Sequence, residues 1–311
     1  MSQKFHHPGR LARYNDRVFS SSIPVHGGTL TGRFVRHTID SKHLGGSRGV
    51  TVRLPDRYDP ENKSYPVIYM HDGQNLFDRR SAFQGNEWHV DEAVAELTAR
   101  GAMPDCVLVA IDNGPQRNAE YSHVPDPEYG GGRGKDYESF LLQELMPAVE
   151  SQYAVNPRNR VMLGSSMGGL VTLAIGMAHP GLFAALGPMS SSAWWANGQI
   201  AEQILRAPLD GSPRPRIWMD MGTEEGGSDQ FGQRPVRDGA LGERPVGANQ
   251  VQDVRDRTRE AATALLHRGW VLDHDLRYHE PLGARHDEAS WSRRLDQVLP
   301  WLTRGMSVES R

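Results

Sequence analysis

The chain has 311 residues with 35 basic and 38 acidic side chains, a formal charge of -3, and this near balance excludes the broad basic field that draws nucleic acid. The length suffices to bury a sizeable core, and a single cysteine, Cys106, excludes an intrachain disulfide. With neither an apolar leader nor an apolar run of membrane-spanning length, the expectation is a cytoplasmic protein with no membrane partner.

Residues 1–28 are polar and mixed and are expected to form an N-terminal arm, in which the His6-His7 pair reads as solvated. Residues 29–39 and 49–54 read as strands, the second from the alternation of Val50, Val52 and Leu54. A turn at Gly45-Gly46-Ser47 joins them, which predicts an antiparallel start to a sheet. Residues 66–73 make a short apolar strand that opens into a turn, and Val90, Ala93, Val94 and Leu97 follow at helical spacing. Residues 106–112 are the next strand, with Cys106 as a small buried hydrophobe. After a loop at 113–135 rich in Gly and Pro, Tyr137, Phe140, Leu141, Leu145 and Val149 mark a helix.

Val161, Met162 and Leu163 then drive into Gly164-Ser165-Ser166-Met167-Gly168, beyond which Leu170, Val171, Leu173, Ala174 and Met177 recur at helical spacing. Residues 183–188 and 216–222 read as further strands. The stretch 226–249, poor in apolar residues, is a long loop insertion expected to be mobile or to cover substrate. Val254, Thr258, Ala261, Leu265 and Leu266 predict a helix, and Trp270, Leu272, His274, Leu276 and Tyr278 alternate as a strand. Leu295, Val298, Leu299 and Leu302 predict a closing helix before a tail at 305–311. The alternation of strand and helix predicts an α/β domain over residues 29–304, with a mainly parallel sheet covered on both faces.

The Gly-x-Ser-x-Gly run between a strand and a helix reads as a nucleophile elbow with Ser166 at its tip. A serine hydroxyl is a poor nucleophile unless it is lifted clear of the backbone beside a base and beside donors for an oxyanion. In this architecture the chain order is serine, acid, histidine, so eight of the thirteen histidines, which precede Ser166, fall away. His179, His267, His274 and His279 fall on or beside predicted helices and the last strand, whereas His286 stands in the loop between that strand and the closing helix. For the acid, Asp220 is expected inside a strand, and Glu225 falls in the loop beyond it, with Glu224 and Asp229 as the alternatives. The oxyanion donors are expected from the amides of Met167 and Gln74, Gly73 being the alternative to Gln74. Trp194 and Trp195 fit a substrate-pocket wall and a core role equally, and Arg117, Glu120 and Tyr121 are expected to brace their own loop. No metal site is expected, because no ligand pair has helical i, i+4 spacing and no Cys-x-x-Cys exists.

Taken together, Tyr69 to Phe77, Arg117 to Tyr121, Leu163 to Leu170, Gly222 to Glu225 and His286 to Trp291 resemble the putative esterase family of α/β-hydrolases. That family includes enterochelin-type siderophore esterases, feruloyl and acetyl-xylan esterases, S-formylglutathione hydrolases and mycolyltransferases. The resemblance runs over residues 29–302 and implies the α/β-hydrolase fold, no cofactor, and hydrolysis by Ser166 and His286 with Glu225 at the matching acid position. It also implies a small-molecule partner, a small or medium acyl, aryl or siderophore-type ester. The insertion at 226–249 departs from the family pattern directly after that acid. An acyltransferase of the same fold and a non-catalytic binding protein are the alternatives, and homo-oligomerisation stays open.

Overall fold

A computed structural model describes residues 19–25, 27–208, 211–226 and 250–311. The first eighteen residues of the expected arm and nearly all of the expected 226–249 insertion, Asp229 included, lie outside the described residues. In chain order the strands are β1 (Phe19–Val25), β2 (Arg33–Ser41), β3 (Gly46–Leu54), β4 (Lys63–His71), β5 (Val107–Ile111), β6 (Pro125–Asp126), β7 (Gly130–Gly131), β8 (Val155–Ser165), β9 (Ala185–Met189), β10 (Arg216–Asp220), β11 (Leu276–His279) and β12 (Glu309–Ser310). The main sheet runs β1-β2-β3-β5-β4-β8-β9-β10-β11, antiparallel as far as β5 and parallel from there to β11.

The central parallel strands β5 and β9 are buried throughout, on both faces, which is why they read as continuous apolar runs. Successive side chains serve opposite layers. Val67, Tyr69, Val109, Met162, Leu186 and Met219 face a core shared with helices α4 (Met146–Gln152), α5 (Met167–Ala178), α6 (Trp195–Arg206) and α7 (Gln250–His267). Ile68, Met70, Leu108, Leu163 and Trp218 face a second core with α1 (Val90–Ala99) and α9 (Leu295–Thr303). The protein therefore has the α/β-hydrolase arrangement, a mostly parallel sheet between helical layers. Gly176 in α5 lets that helix settle on β9, since a Cβ there would lie 2.2 Å from Leu186 Cδ1.

Several boundaries differ from the sequence reading. Residues 19–25, placed in the arm, form β1 against β2. Five of its seven residues are exposed, so an edge strand with Ser20, Ser21 and Ser22 carries no apolar alternation to read. The expected strand at 270–278 shrinks to β11. Val271 and Leu272 are exposed, Asp273 has a φ of 60° and Asp275 Oδ1 accepts from Val271 N, so the first half of that alternation is a turn. The loop at 113–135 contains the one-turn helix α2 (Arg117–Glu120) and the β6-β7 ribbon and runs into α3 (Gly134–Ser139), and the tail at 305–311 returns as β12 beside β4.

Candidate active site

β8 ends at Ser165 and α5 starts at Met167, leaving Ser166 alone at the turn with φ 56° and ψ -125°. A non-glycine residue there costs roughly 1–3 kcal/mol and persists only where the surroundings over-determine it. Here Ser166 N donates to Met189 O at 3.1 Å, and Ser166 O accepts from Ser192 N and Leu170 N, both at 3.0 Å. The neighbouring glycines are dictated by crowding. A Cβ on Gly164 would lie 2.7 Å from the Gly168 carbonyl carbon, and one on Gly169 would lie 3.0 Å from Met189 O.

His286 stands in the loop between β11 and the short helix α8 (Glu288–Ser292), whose N-cap Asp287 accepts from Ser290 N at 2.7 Å. Its ring packs edge-on against Trp291, with centroids 5.1 Å apart. Nε2 lies 2.9 Å from Ser166 Oγ and Nδ1 lies 2.8 Å from Glu225 Oε2. Because a carboxylate only accepts, Nδ1 carries the proton and Nε2 offers its lone pair to the Ser166 O–H. Glu225 is fully buried, and its Oε1 accepts from Gly222 N and Ser190 Oγ, both at 2.7 Å. Of the two described acid alternatives, Glu225 meets the imidazole while Glu224 is exposed.

Behind Glu225 lies a polar cluster that the sequence reading missed. Asp220, at the end of β10, accepts from Ser190 N at 2.9 Å and Trp218 Nε1 at 2.7 Å, and Arg294 Nε lies 3.4 Å from its Oδ2. Burial pushes the Asp220 carboxyl above the usual carboxylate range, with Arg294 and the Trp218 N–H opposing it. Trp291 Nε1 and Arg294 Nη2 both donate to Ser190 Oγ, at 2.9 and 2.8 Å. Ser190 had a weak signal, as one of three consecutive serines directly after an apolar strand.

Gln74 lies in the single turn Gly73–Asn75 that follows β4, next to the elbow: a Cβ on Gly168 would meet Asp72 Oδ2 at 3.1 Å. Gly73 is pressed onto β5, where a Cβ would lie 2.7 Å from the Ala110 carbonyl carbon. Gln74 Oε1 accepts from Asn113 N at 3.1 Å, tying this turn to the loop after β5. Asp72, in the left-handed region at φ 56°, takes two bonds from Arg117 (Nε 2.7 Å, Nη2 2.8 Å) and one from Asn113 Nδ2 at 2.6 Å. Burial alone would raise the Asp72 carboxyl, but Arg117 and Asn113 more than offset it and hold it below the usual carboxylate range. Arg117 therefore braces the turn after β4, and Glu120 reaches β3 through Arg48 at 2.9 Å, so neither is confined to its own loop as expected.

The two tryptophans separate. Trp195 is buried and donates Nε1 to Val124 O at 2.9 Å, which puts it in the core beneath the β6-β7 ribbon. Trp194 is half-buried, with its ring edge-on to Tyr129 at 5.7 Å.

His71 closes β4 beneath the elbow, with Nδ1 2.9 Å from Tyr137 Oη and Nε2 buried without a partner. Burial lowers its pKa to about 4, Asp72 opposing and Arg117 reinforcing the shift. Between an ordinary value of 6.5 and about 4 the unfolded chain binds a proton that the native one refuses, so stability falls as pH drops through that window and levels off below it. The slope from one such group is at most roughly 1.4 kcal/mol per pH unit. The urea midpoint should therefore be lower at pH 5 than at pH 7, and the gap should narrow in His71→Asn; an unchanged gap would remove His71 as its source.

Among the described residues no group of three or more His, Cys, Asp or Glu is arranged to hold a metal ion, and no helix is long and apolar enough to cross a membrane. The profile of the family described as putative esterase matches residues 41–302. The chain is 29% identical over 202 residues to the uncharacterized protein YbbA of Bacillus subtilis, a match covering 62% of this chain and 75% of that protein. It is 29% identical over 154 residues to esterase Rv1288 of Mycobacterium tuberculosis, covering 48% of this chain and 30% of the relative. The enterobactin esterase FES from Shigella flexneri, solved in the presence of enterobactin, superposes with a TM-score of 0.64 at 20% identity, covering 88% of this chain and 60% of the other. At that identity the likeness shows the fold.

Proposed function

Because the chain belongs to the putative esterase family, we propose that it is a serine carboxylic ester hydrolase whose acyl-enzyme forms on Ser166. The observation that carries this reading is the His286 imidazole, 2.9 Å from the hydroxyl of a strained serine and 2.8 Å from a buried carboxylate. Ser166 Oγ attacks the ester carbonyl carbon as His286 Nε2 takes its proton. The carbonyl oxygen becomes an oxyanion held by the amides of Met167, at the start of α5, and of Gln74. Collapse breaks the ester C–O bond, and His286 returns the proton to the departing alkoxide. Water then attacks the acyl carbon, His286 removes its proton, and the acid leaves as Ser166 recovers its hydroxyl, so ester and water become acid and alcohol. Glu225 keeps Nδ1 protonated and stabilises the imidazolium that forms twice per cycle.

The half-buried Trp194 and the exposed Tyr129 beside it suit a planar acyl or alcohol group, and Trp195 supports them from the core. Together with the fold shared with an enterobactin esterase, this favours aryl or siderophore-type esters over purely aliphatic ones. The test combines a fluorophosphonate probe with a panel of p-nitrophenyl, feruloyl and catecholate-lactone esters. The probe is expected to label Ser166, identified by peptide mass, and to remove turnover in proportion to labelling. Turnover that survives complete labelling, or a probe that leaves Ser166 unmodified, overturns the reading.

A further inference from the structure

Ser190 follows β9 directly and holds a backbone φ of 40°, a left-handed conformation unusual for a residue that is not glycine. Its side chain is fully buried beneath the triad acid, at a junction of four groups. Trp291 Nε1 approaches its Oγ at 2.9 Å and Arg294 Nη2 at 2.8 Å, while Glu225 Oε1 lies at 2.7 Å and Asp220 Oδ1 at 3.4 Å. Indole and guanidinium nitrogens only donate, and a hydroxyl oxygen has two lone pairs, so Trp291 and Arg294 use its whole accepting capacity. The single Ser190 proton is left for an acceptor, and the short contact is to Glu225. With Gly222 N also donating to Oε1, that oxygen is occupied from two directions and Oε2 is the one turned to His286. Asp220 anchors the arrangement by taking the Ser190 backbone N–H at 2.9 Å, which helps hold the strained φ in place.

Resting on the triad reading above, we propose that Ser190 is a positioning residue for this reaction: with both its lone pairs claimed by Trp291 and Arg294, its hydroxyl proton is committed to Glu225 and fixes the orientation in which that carboxylate faces His286. The residue touches no reacting atom. It acts through Glu225, so its contribution exists only while Glu225 is present.

This dependence supplies the test. Ser190→Ala is expected to lower kcat by about 10- to 100-fold, the usual worth of a hydrogen bond to a charged group, with KM changed less than about threefold. In a Glu225→Ala background the same substitution is expected to cost less than about threefold more. Ser190→Gly removes the same hydroxyl while relieving the positive φ, so it keeps the test open if the alanine variant folds poorly, and it should show the same loss. Equal fold-losses from Ser190→Ala with and without Glu225 would make the role general packing and overturn the proposal, as would an unchanged kcat in both single variants. Wild-type protein with no Ser166-dependent turnover would instead bring down the parent reading and this inference with it.

Discussion

Replacing Ser166 by Ala is expected to lower kcat on an activated ester by about 10⁴- to 10⁶-fold and to abolish the acyl-enzyme burst. The magnitude follows from what is lost, since without the hydroxyl no acyl-enzyme forms and His286 has no proton to take. What survives is substrate binding and the proposed oxyanion donors at Met167 and Gln74. The loss should not come from unfolding. Ala at φ 56° keeps the backbone strain of Ser166, and the turn is held by backbone bonds to Met189, Leu170 and Ser192 that need no side chain. Ser166→Gly makes the same point more sharply, because it removes the nucleophile and releases strain of roughly 1–3 kcal/mol, so it should be as inactive as the alanine variant yet melt at a higher temperature. Thermal denaturation alongside pre-steady-state kinetics checks both halves. Wild-type-like turnover in either variant would take Ser166 out of the chemistry, and a glycine variant no more stable than wild type would show that the elbow stores no strain.

The elbow was legible because its requirements are local. A nucleophile in this conformation needs small residues two positions to either side, and Gly164 and Gly168 announce it within five letters. His286 was legible by a topological argument, its place between the last strand and the last helix. Glu225 could be preferred but not separated by its residues from Glu224 and Asp229, which carry the same chemistry in the same loop; burial and the contact with His286 distinguish it from the exposed Glu224. Ser190, Asp220 and Arg294 could not be read as a cluster at all: they lie up to 104 positions apart, Ser190 and Asp220 meeting because β9 and β10 are neighbours in the sheet and Arg294 arriving from the N-cap of α9. Trp195 illustrates the converse, since indole beside a site looks the same in sequence whether its N–H reaches a ligand or Val124 O. β1 failed to show because exposed serines pair through the backbone, which leaves no side-chain pattern.

Glu225→Gln is expected to be at least as damaging as Glu225→Ala, with kcat down by about 10³- to 10⁴-fold, although it changes one atom and preserves the volume. The argument rests on what surrounds the two carboxylate oxygens. Gly222 N–H and the Ser190 O–H both require an acceptor at the Oε1 position. Ser190 cannot reverse its bond without releasing Trp291 or Arg294, so the glutamine oxygen must take that place and its NH2 must face His286. An NH2 group donates, so Nδ1 must then present a lone pair and the ring proton moves to Nε2, the nitrogen directed at Ser166 Oγ. The imidazole is held in the right position in the wrong tautomer and cannot act as the base. Alanine, by contrast, removes the orienting group but leaves the ring free to adopt either tautomer, so part of its population stays productive. The ring ¹⁵N shifts of His286 in the glutamine variant should report protonation at Nε2, against Nδ1 in the wild type. A glutamine variant more active than the alanine one would mean that Glu225 supplies orientation only, and that the hydrogen-bond polarity of its pocket has no part in selecting the tautomer.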